Sequence, residues 1–578
     1  MTKEELTQLI LTARGERKAD LVIKNGKILD VGSGAIREED LAVCGRRIAG
    51  IGPDYEGEKV LDAEGAYILP GLMDAHIHIE SSYLSPEAFA QAVVPWGTTT
   101  VIADPHEIVN VAGLKGLKYM QEAAAKTPLK IEYLIPSCVP STAYETAGAK
   151  LSAKDLAGPL KEDELLGLAE LMNFPGVLYS DPDVMEKIMA AKSAHKLIDG
   201  HAPGLLGKEL NAYASAGILA DHECSSLEEM DQRLKCGMRV MIRQGSSCHD
   251  LEKLLPGVNE KNYHRCLFCS DDRQARTLRE KGHLNEHLRL AVSMGLDPLM
   301  AVAMASLNTA EAFGLNDRGG LFPGRAADFV LVRDLKSFLP FEVYIDGKLV
   351  AKEGVYLPKV ERADAKSVSN SFHLQDFSAD RLKFHLKTGR VKAIQVLPGG
   401  VLTKKNLIEL PLDESGDAIL SGEPEVSRLA VIERHQGTGN IGLGFLEKYG
   451  LKRGAIAISI AHDSHNIICC GKDPEEMAMA VLELAGQEGG IVLVLDGKVL
   501  ARLPLPIGGL MSDQDADFVS TRLADLQKAA HEKLGVSSAI DPVMTLSFMS
   551  LAVIPELKLT DFGLFDVNRF ELVPVEEE

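Results

Sequence analysis

The chain contains no apolar run near the ~20 residues needed to cross a bilayer, no basic cluster and no cysteine framework. The first absence argues against a helical membrane span. The N-terminal stretch MTKEELTQLILTARGERKADLVI is charged and amphipathic, without the apolar core and small-residue cleavage site of a secretory signal. Nine cysteines, an odd number at irregular spacing, argue against a disulfide scaffold and point to a reducing cytoplasm. A formal net charge of −21, with nothing basic gathered to neutralise phosphates, disfavours nucleic acid as a partner. No G-x-G-x-x-G follows a strand-like run, and the glycine-rich GGIV and IGGL lack the Lys-Ser/Thr of a phosphate loop. A small molecule is therefore the expected partner.

What is present is a soluble, multidomain composition: 578 residues, 46% hydrophobic and 25% charged. Residues 20–69 alternate apolar and polar positions between Asn-Gly and Gly-rich turns, and the same texture returns at 319–358. The two stretches are expected to pair into one small β domain; separate hairpins are the other reading. The roughly 250 residues between them suit a (β/α)8 barrel. Eight apolar runs with polar C-terminal ends are candidate strands: YILPGLMDAHIH, TTTVIADPHE, IEYLIPSCVP, LLGLAELMN, KLIDGHAP, GILADHECSS, RVMIRQGSS and RCLFCSDD. Helix signals fall between several of them. Ser85-Pro86 opens one helix, Ser226 with Glu229 caps another that ends before Gly237, and Asp297-Pro298 opens DPLMAVAMASLNTAEAF. Alternation of this kind means a parallel sheet, and eight units favour closure over an open, doubly wound sheet. The expected division is 1–70 and 316–364 for the small β domain, 71–315 for the α/β barrel, and 365–578 for a C-terminal α+β domain.

Chemistry concentrates at the strand ends. His76 and His78 are two apart on the first strand, so both imidazoles face one space. His201 ends strand five, His222 strand six and Asp271 strand eight. A single strand-end histidine is usually a satisfied core residue; four with an aspartate, all at the mouth of one barrel, point to metal. Asp104-Pro105-His106-Glu107 ends strand two and reads equally as substrate contact or as a turn. Asp272 is expected to face away from Asp271 if the strand continues. His435, His462, Asp463 and His465 could close over the pocket or bind an ion, but exposed loop residues are the expected reading. The single-zinc nucleobase deaminase signature H-x-E with P-C-x-x-C is met only in part. His78-Ile79-Glu80 fits the first half, but Cys266 and Cys269 follow Arg265 and lie in an apolar strand, as buried packing residues.

These residues resemble the amidohydrolase superfamily of metal-dependent hydrolases: the H-x-H, the two later histidines, the strand-eight aspartate, and the return segment ASLNTAEAFGLNDRGGLFPGRAADFVLV. DAHIHIESS, ADPHEIVNV, GLAELMNFPGV, DGHAPGL and FCSDDR, with HQGTGNIGLGF and IAHDSHNI in the C-terminal region, resemble more closely its bacterial adenine deaminase family, over nearly the whole chain. The resemblance implies a pair of divalent metals, manganese first with iron or zinc as alternatives. The implied ligands are His76, His78, Glu170, His201, His222 and Asp271. Many superfamily members bridge their metals with a carboxylated lysine; LLGLAELMN has none, and Glu170 stands where this family places a bridging carboxylate. The implied reaction is hydrolytic deamination of adenine to hypoxanthine and ammonia by a metal-activated hydroxide, with Asp271 as base. His222 would bind metal or polarise the ring. Addition at C6 also calls for protonation of a ring nitrogen, by Glu170 or Glu107. Asp104, His106 and Glu107 would contact substrate. The alternatives are a cyclic amidohydrolase of hydantoinase or dihydroorotase type, or a scaffold without chemistry. A homo-oligomer, a dimer by the commonest symmetry, is expected.

Overall fold

Short Val-, Ile- and Leu-rich runs bounded by glycine or proline form parallel strands when both faces are covered. In the computed structural model, which describes residues 1–397, 401–420 and 425–577, eight such runs do so. They are β1 (Leu72–His78), β2 (Thr98–Ala103), β3 (Lys130–Ile135), β4 (Leu165–Leu171), β5 (Leu197–Gly200), β6 (Ala220–Asp221), β7 (Arg239–Arg243) and β8 (Cys266–Cys269). Seven of the eight sequence runs contain one of these strands whole, and IEYLIPSCVP covers all of β3 but Lys130.

Strands β1 to β5 are successive parallel neighbours, as are β6 to β8. The Leu219 N–H donates to the Ile198 carbonyl at 2.8 Å across the seam between β5 and β6. After β8 the chain continues as Asp271–Asp272, which pairs parallel with the end of β1, Asp271 opposite Ile77 and Asp272 opposite His78. This closes the barrel and places the strand-eight aspartates beside the H-x-H. Ala75, Ile102, Leu134, Ala169, Met241 and Leu267 fill the interior as a buried apolar cluster, so the barrel is packed rather than hollow. Leu134→Ala removes a fully buried side chain from that layer. It should cost about 2–5 kcal/mol, seen as a lowered thermal midpoint with unchanged metal content; an unchanged midpoint would contradict this packing.

Cys266 and Cys269 are both buried in β8, and belong to different apolar clusters on its two sides, as packing residues would. Ser226 accepts the Glu229 N–H at the start of helix Leu227–Lys235, while the Glu229 carboxylate turns to the Ser225 N–H. The segment from Asp297 is two helices, Pro298–Met304 and Leu307–Ala312, rather than the single one expected. It breaks where the Ala305 carbonyl accepts the Met73 N–H, tying the helix to the root of β1.

The two flanking β stretches share one sheet: Phe329–Val332 pairs antiparallel with Tyr67–Pro70, which pairs in turn with Lys27–Asp30. Separate hairpins are thereby ruled out. The C-terminal region holds an eight-stranded mixed sheet between Arg390 and Pro504, a covering helix Pro474–Gly486, and a small antiparallel sheet beginning at Leu557. Residues 398–400, 421–424 and 578 of this region lie outside the described residues. This region has an apolar cluster of its own, yet another cluster runs without interruption from barrel residues such as Val101 to C-terminal ones such as Leu559. Thr146 donates to Asp561 from both its N–H (2.9 Å) and its hydroxyl (2.7 Å), and the Ser512 N–H donates to the Tyr83 carbonyl at 2.8 Å. The C-terminal region is thus seated on the barrel mouth. Among the described residues, no helix is long and apolar enough to cross a membrane.

Candidate metal centre and active site

Because β1 ends at the mouth with two histidines on one side, their Nε2 atoms come within 3.2 Å of each other. The His78 Nδ1 lies 3.0 Å from the Asp104 backbone carbonyl, which can only accept, so the ring proton sits there and the Nε2 lone pair faces the cavity. Asp74 anchors this end of the strand, accepting the His76 N–H at 3.2 Å and the Ser270 N–H at 3.0 Å. It also pairs at 3.0 Å with buried His283.

Glu170 is the centre of the cluster. It lies on β4, 3% exposed, which excludes the exposed-helix alternative that ELLGLAELM leaves open by its spacing. Its Oε1 is 3.2 Å from His106 Nδ1 and 3.6 Å from His78 Nε2; its Oε2 is 2.9 Å from His201 Nδ1 and 3.2 Å from His222 Nε2. One carboxylate therefore faces two separate groups of imidazoles. The His222 ring stacks on His76 with centroids 4.1 Å apart. Asp271 closes the ring, with Oδ1 3.3 Å from His78 Nε2 and 3.9 Å from His76 Nε2. Burial pushes both carboxyls upward. The facing imidazoles of His106, His201 and His222 nevertheless hold Glu170 well below the usual carboxylate range, and the Arg243 charge does the same for Asp271.

All six sequence-derived ligand candidates thus meet in one place: His76, His78, Glu170, His201, His222 and Asp271. Three overlapping sets, His76/His222/Asp271, Glu170/His201/His222 and His78/Asp104/His106/Glu170, each bring their ligand atoms within 4.8 Å of one another. Among the described residues, the buried His76 Nδ1, His222 Nδ1 and Asp199 Oδ2 lack hydrogen-bond partners. So many buried nitrogen and oxygen donors in mutual contact, with lone pairs converging, are costly without a cation between them. The donor set suits a divalent metal, and the residues fit one.

Asp104, His106 and Glu107 lie at the same mouth, all buried. Asp104 Oδ2 meets the His106 ring at 3.4 Å, and His106 and Glu107 line the cavity. Two expectations fail here. Asp272 does not face away: Asp271 adopts φ +56°, which breaks strand alternation, and both carboxylates line the cavity. Nor are the C-terminal histidines exposed loop residues. His435 is buried against the Ser464 carbonyl at 2.7 Å, and both His462 and His465 bond the Glu107 carboxylate across the domain boundary. The cavity, about 660 Å³, has His78, Glu170 and Asp271 on its floor and His462, Phe548 and Leu551 from the C-terminal region in its wall.

Arg243 escaped the sequence analysis. It ends β7, donates to Asp271 Oδ2 at 3.1 Å and Asp250 Oδ2 at 3.0 Å, and also bonds Glu223. A charged residue closing an apolar strand at a barrel mouth is the signal that exposed the histidines, and it would have served for arginine too. Asp199, 3.6 Å from His76 Nδ1, was missed because it sits inside β5 rather than at its tip.

A closed barrel with histidines and carboxylates at its strand ends, set on a β domain drawn from both flanks, defines a hydrolase of C–N bonds of the amidohydrolase class; the amidohydrolase family matches residues 67–350. The adenine deaminase C-terminal domain matches residues 400–571. Full-length similarity extends to adenine deaminase 2 of Desulfotalea psychrophila, 50% identical over 100% of both chains, and to adenine deaminase of Ligilactobacillus salivarius, 49% identical over 98% of both. The Nitratidesulfovibrio vulgaris adenine deaminase is 48% identical over 99% of both. The chain belongs to the adenine deaminase family.

Proposed function

We propose that this site hydrolyses adenine to hypoxanthine and ammonia with two divalent ions, manganese in preference to iron or zinc. The observation that carries the two-ion reading is the position of Glu170, one carboxylate oxygen towards His78 and His106 and the other towards His201 and His222. His76, His78, His201, His222 and Asp271 would supply the remaining ligands. Cations held there would lower the pKa of water bound to them from about 15.7 toward ~7, a nucleophile at neutral pH.

The chain's own residues do the rest. Asp271 accepts the proton of the water that adds to C6 and returns it to the departing amine. Arg243, at 3.1 Å, keeps that carboxylate ionised and fixes its plane. Glu170 holds His201 and His222 in register. His222 serves as a ligand or polarises the ring, and Asp104, His106 and Glu107 shape the purine's side of the cavity. Phe548 and Leu551 give the cavity an apolar stretch of wall. Nine unpaired cysteines support a cytoplasmic setting, and a homodimer remains part of the proposal, to be checked by light scattering.

A substrate panel tests the choice between deaminase and cyclic amidohydrolase. Ammonia release from adenine, with hydantoin and dihydroorotate untouched, is expected. Ring opening of either cyclic amide without ammonia from adenine would keep the site and discard the substrate.

A further inference from the structure

One imidazole from the C-terminal region reaches the cavity already held by a carboxylate of the barrel. Glu107 binds two histidines. His465 accepts the Ala461 N–H on Nδ1 at 3.1 Å, so its ring proton is on Nε2, which donates to Glu107 Oε2. A protonated Nε2 has no lone pair for a cation, so this Glu107/His462/His465 trio is a hydrogen-bonded relay and not a further metal site. His462 Nδ1 stands 2.6 Å from Glu107 Oε1. Its ring lies on Phe548, centroids 4.6 Å apart and 21° from parallel, which sets its plane. His462 lines the cavity, and among the described residues nothing hydrogen-bonds its Nε2.

The carboxylates named above as ring-nitrogen donors are poorly placed for that task. Both oxygens of Glu107 accept from imidazoles, and both oxygens of Glu170 face histidines. Addition of water at C6 nonetheless drives the electron pair of the C6–N1 double bond onto N1, which needs a proton.

We infer that His462 supplies it, donating from Nε2 to N1 while Glu107 holds Nδ1 and His465 positions Glu107. This rests on the deaminase reading above. The water oxygen bonds C6 as its first proton passes to Asp271, and N1 takes the His462 proton with the π pair. The bond from C6 to the exocyclic nitrogen then breaks; the nitrogen takes the Asp271 proton and leaves as ammonia. The remaining hydroxyl proton returns to His462 as the C6 carbonyl forms. Burial opposes a charged His462, but Glu107, Asp272 and Asp463 face it and push its pKa up to about 9, which favours the second proton the step uses.

His462→Phe keeps a flat ring against Phe548 and removes the donor. In the metal-loaded enzyme, kcat with adenine should fall roughly 10²- to 10⁴-fold, with metal content unchanged. A binding readout separates donation from mere shape. Wild type should bind purine about tenfold or more tightly than 1-deazapurine, which has carbon in place of N1, and His462→Phe should bind both alike by calorimetry. His462→Gln, which retains an N–H donor, should keep part of that preference while losing turnover. Normal kcat in His462→Phe, or a preference for purine undiminished in that variant, would overturn the assignment. Absence of ammonia release by wild type would instead overturn the deaminase reading on which it rests.

Discussion

Asp271→Asn is expected to lower turnover of adenine by roughly 10²- to 10⁴-fold, the usual contribution of a positioned base, while leaving metal bound. Asparagine is nearly isosteric, and its amide oxygen can still accept from Arg243, which bonds Asp271 at 3.1 Å. The other ligand candidates are untouched, and His78, His201 and His222 also face Glu170. What the amide cannot do is take a proton from attacking water and hand it to the leaving amine. The comparison requires kcat together with elemental analysis of the same preparation. Loss of turnover with full metal supports the assignment; near-normal turnover, or metal lost in proportion to activity, removes Asp271 as base.

Glu170→Gln should act on the centre itself. Glutamine keeps the volume, but replaces the charge that faces His78, His106, His201 and His222 with a neutral amide whose N–H₂ end must point at one set of imidazoles. Even outer-shell partners of metal ligands cost 10- to 100-fold in affinity when lost, so removal of the charge proposed to bridge two ions should exceed about 100-fold. The expected result is a folded protein that retains less metal after dialysis and shows background activity. Full metal content would contradict the bridging role. In this the two variants differ by design: one loses chemistry with metal in place, the other loses the metal.

Much of this was legible along the chain. Strand period and polar strand ends located all eight barrel strands, because a parallel strand buried on both faces writes itself as a short continuous apolar run. The H-x-H pair needed only the two-residue period of a strand to place both Nε2 atoms in one space. Glu170 was ambiguous between helix and strand until burial decided it. Asp272 went wrong because alternation presumes extended backbone, and the φ of +56° at Asp271 is set by closure against β1 rather than by local sequence. The C-terminal histidines went wrong for a different reason. His462 and His465 meet Glu107 across separations of 355 and 358 residues, and no local pattern encodes which barrel residue a distant loop will cover.

The central claim is that this buried cluster deaminates adenine through bound divalent metal. The most direct measurement is ammonia and hypoxanthine formation from adenine by metal-stripped protein titrated with manganese. Activity absent from the stripped protein, and rising to a plateau as two ions bind per chain, is the predicted result. Equal activity with and without metal, or no hypoxanthine at any manganese concentration, would contradict it.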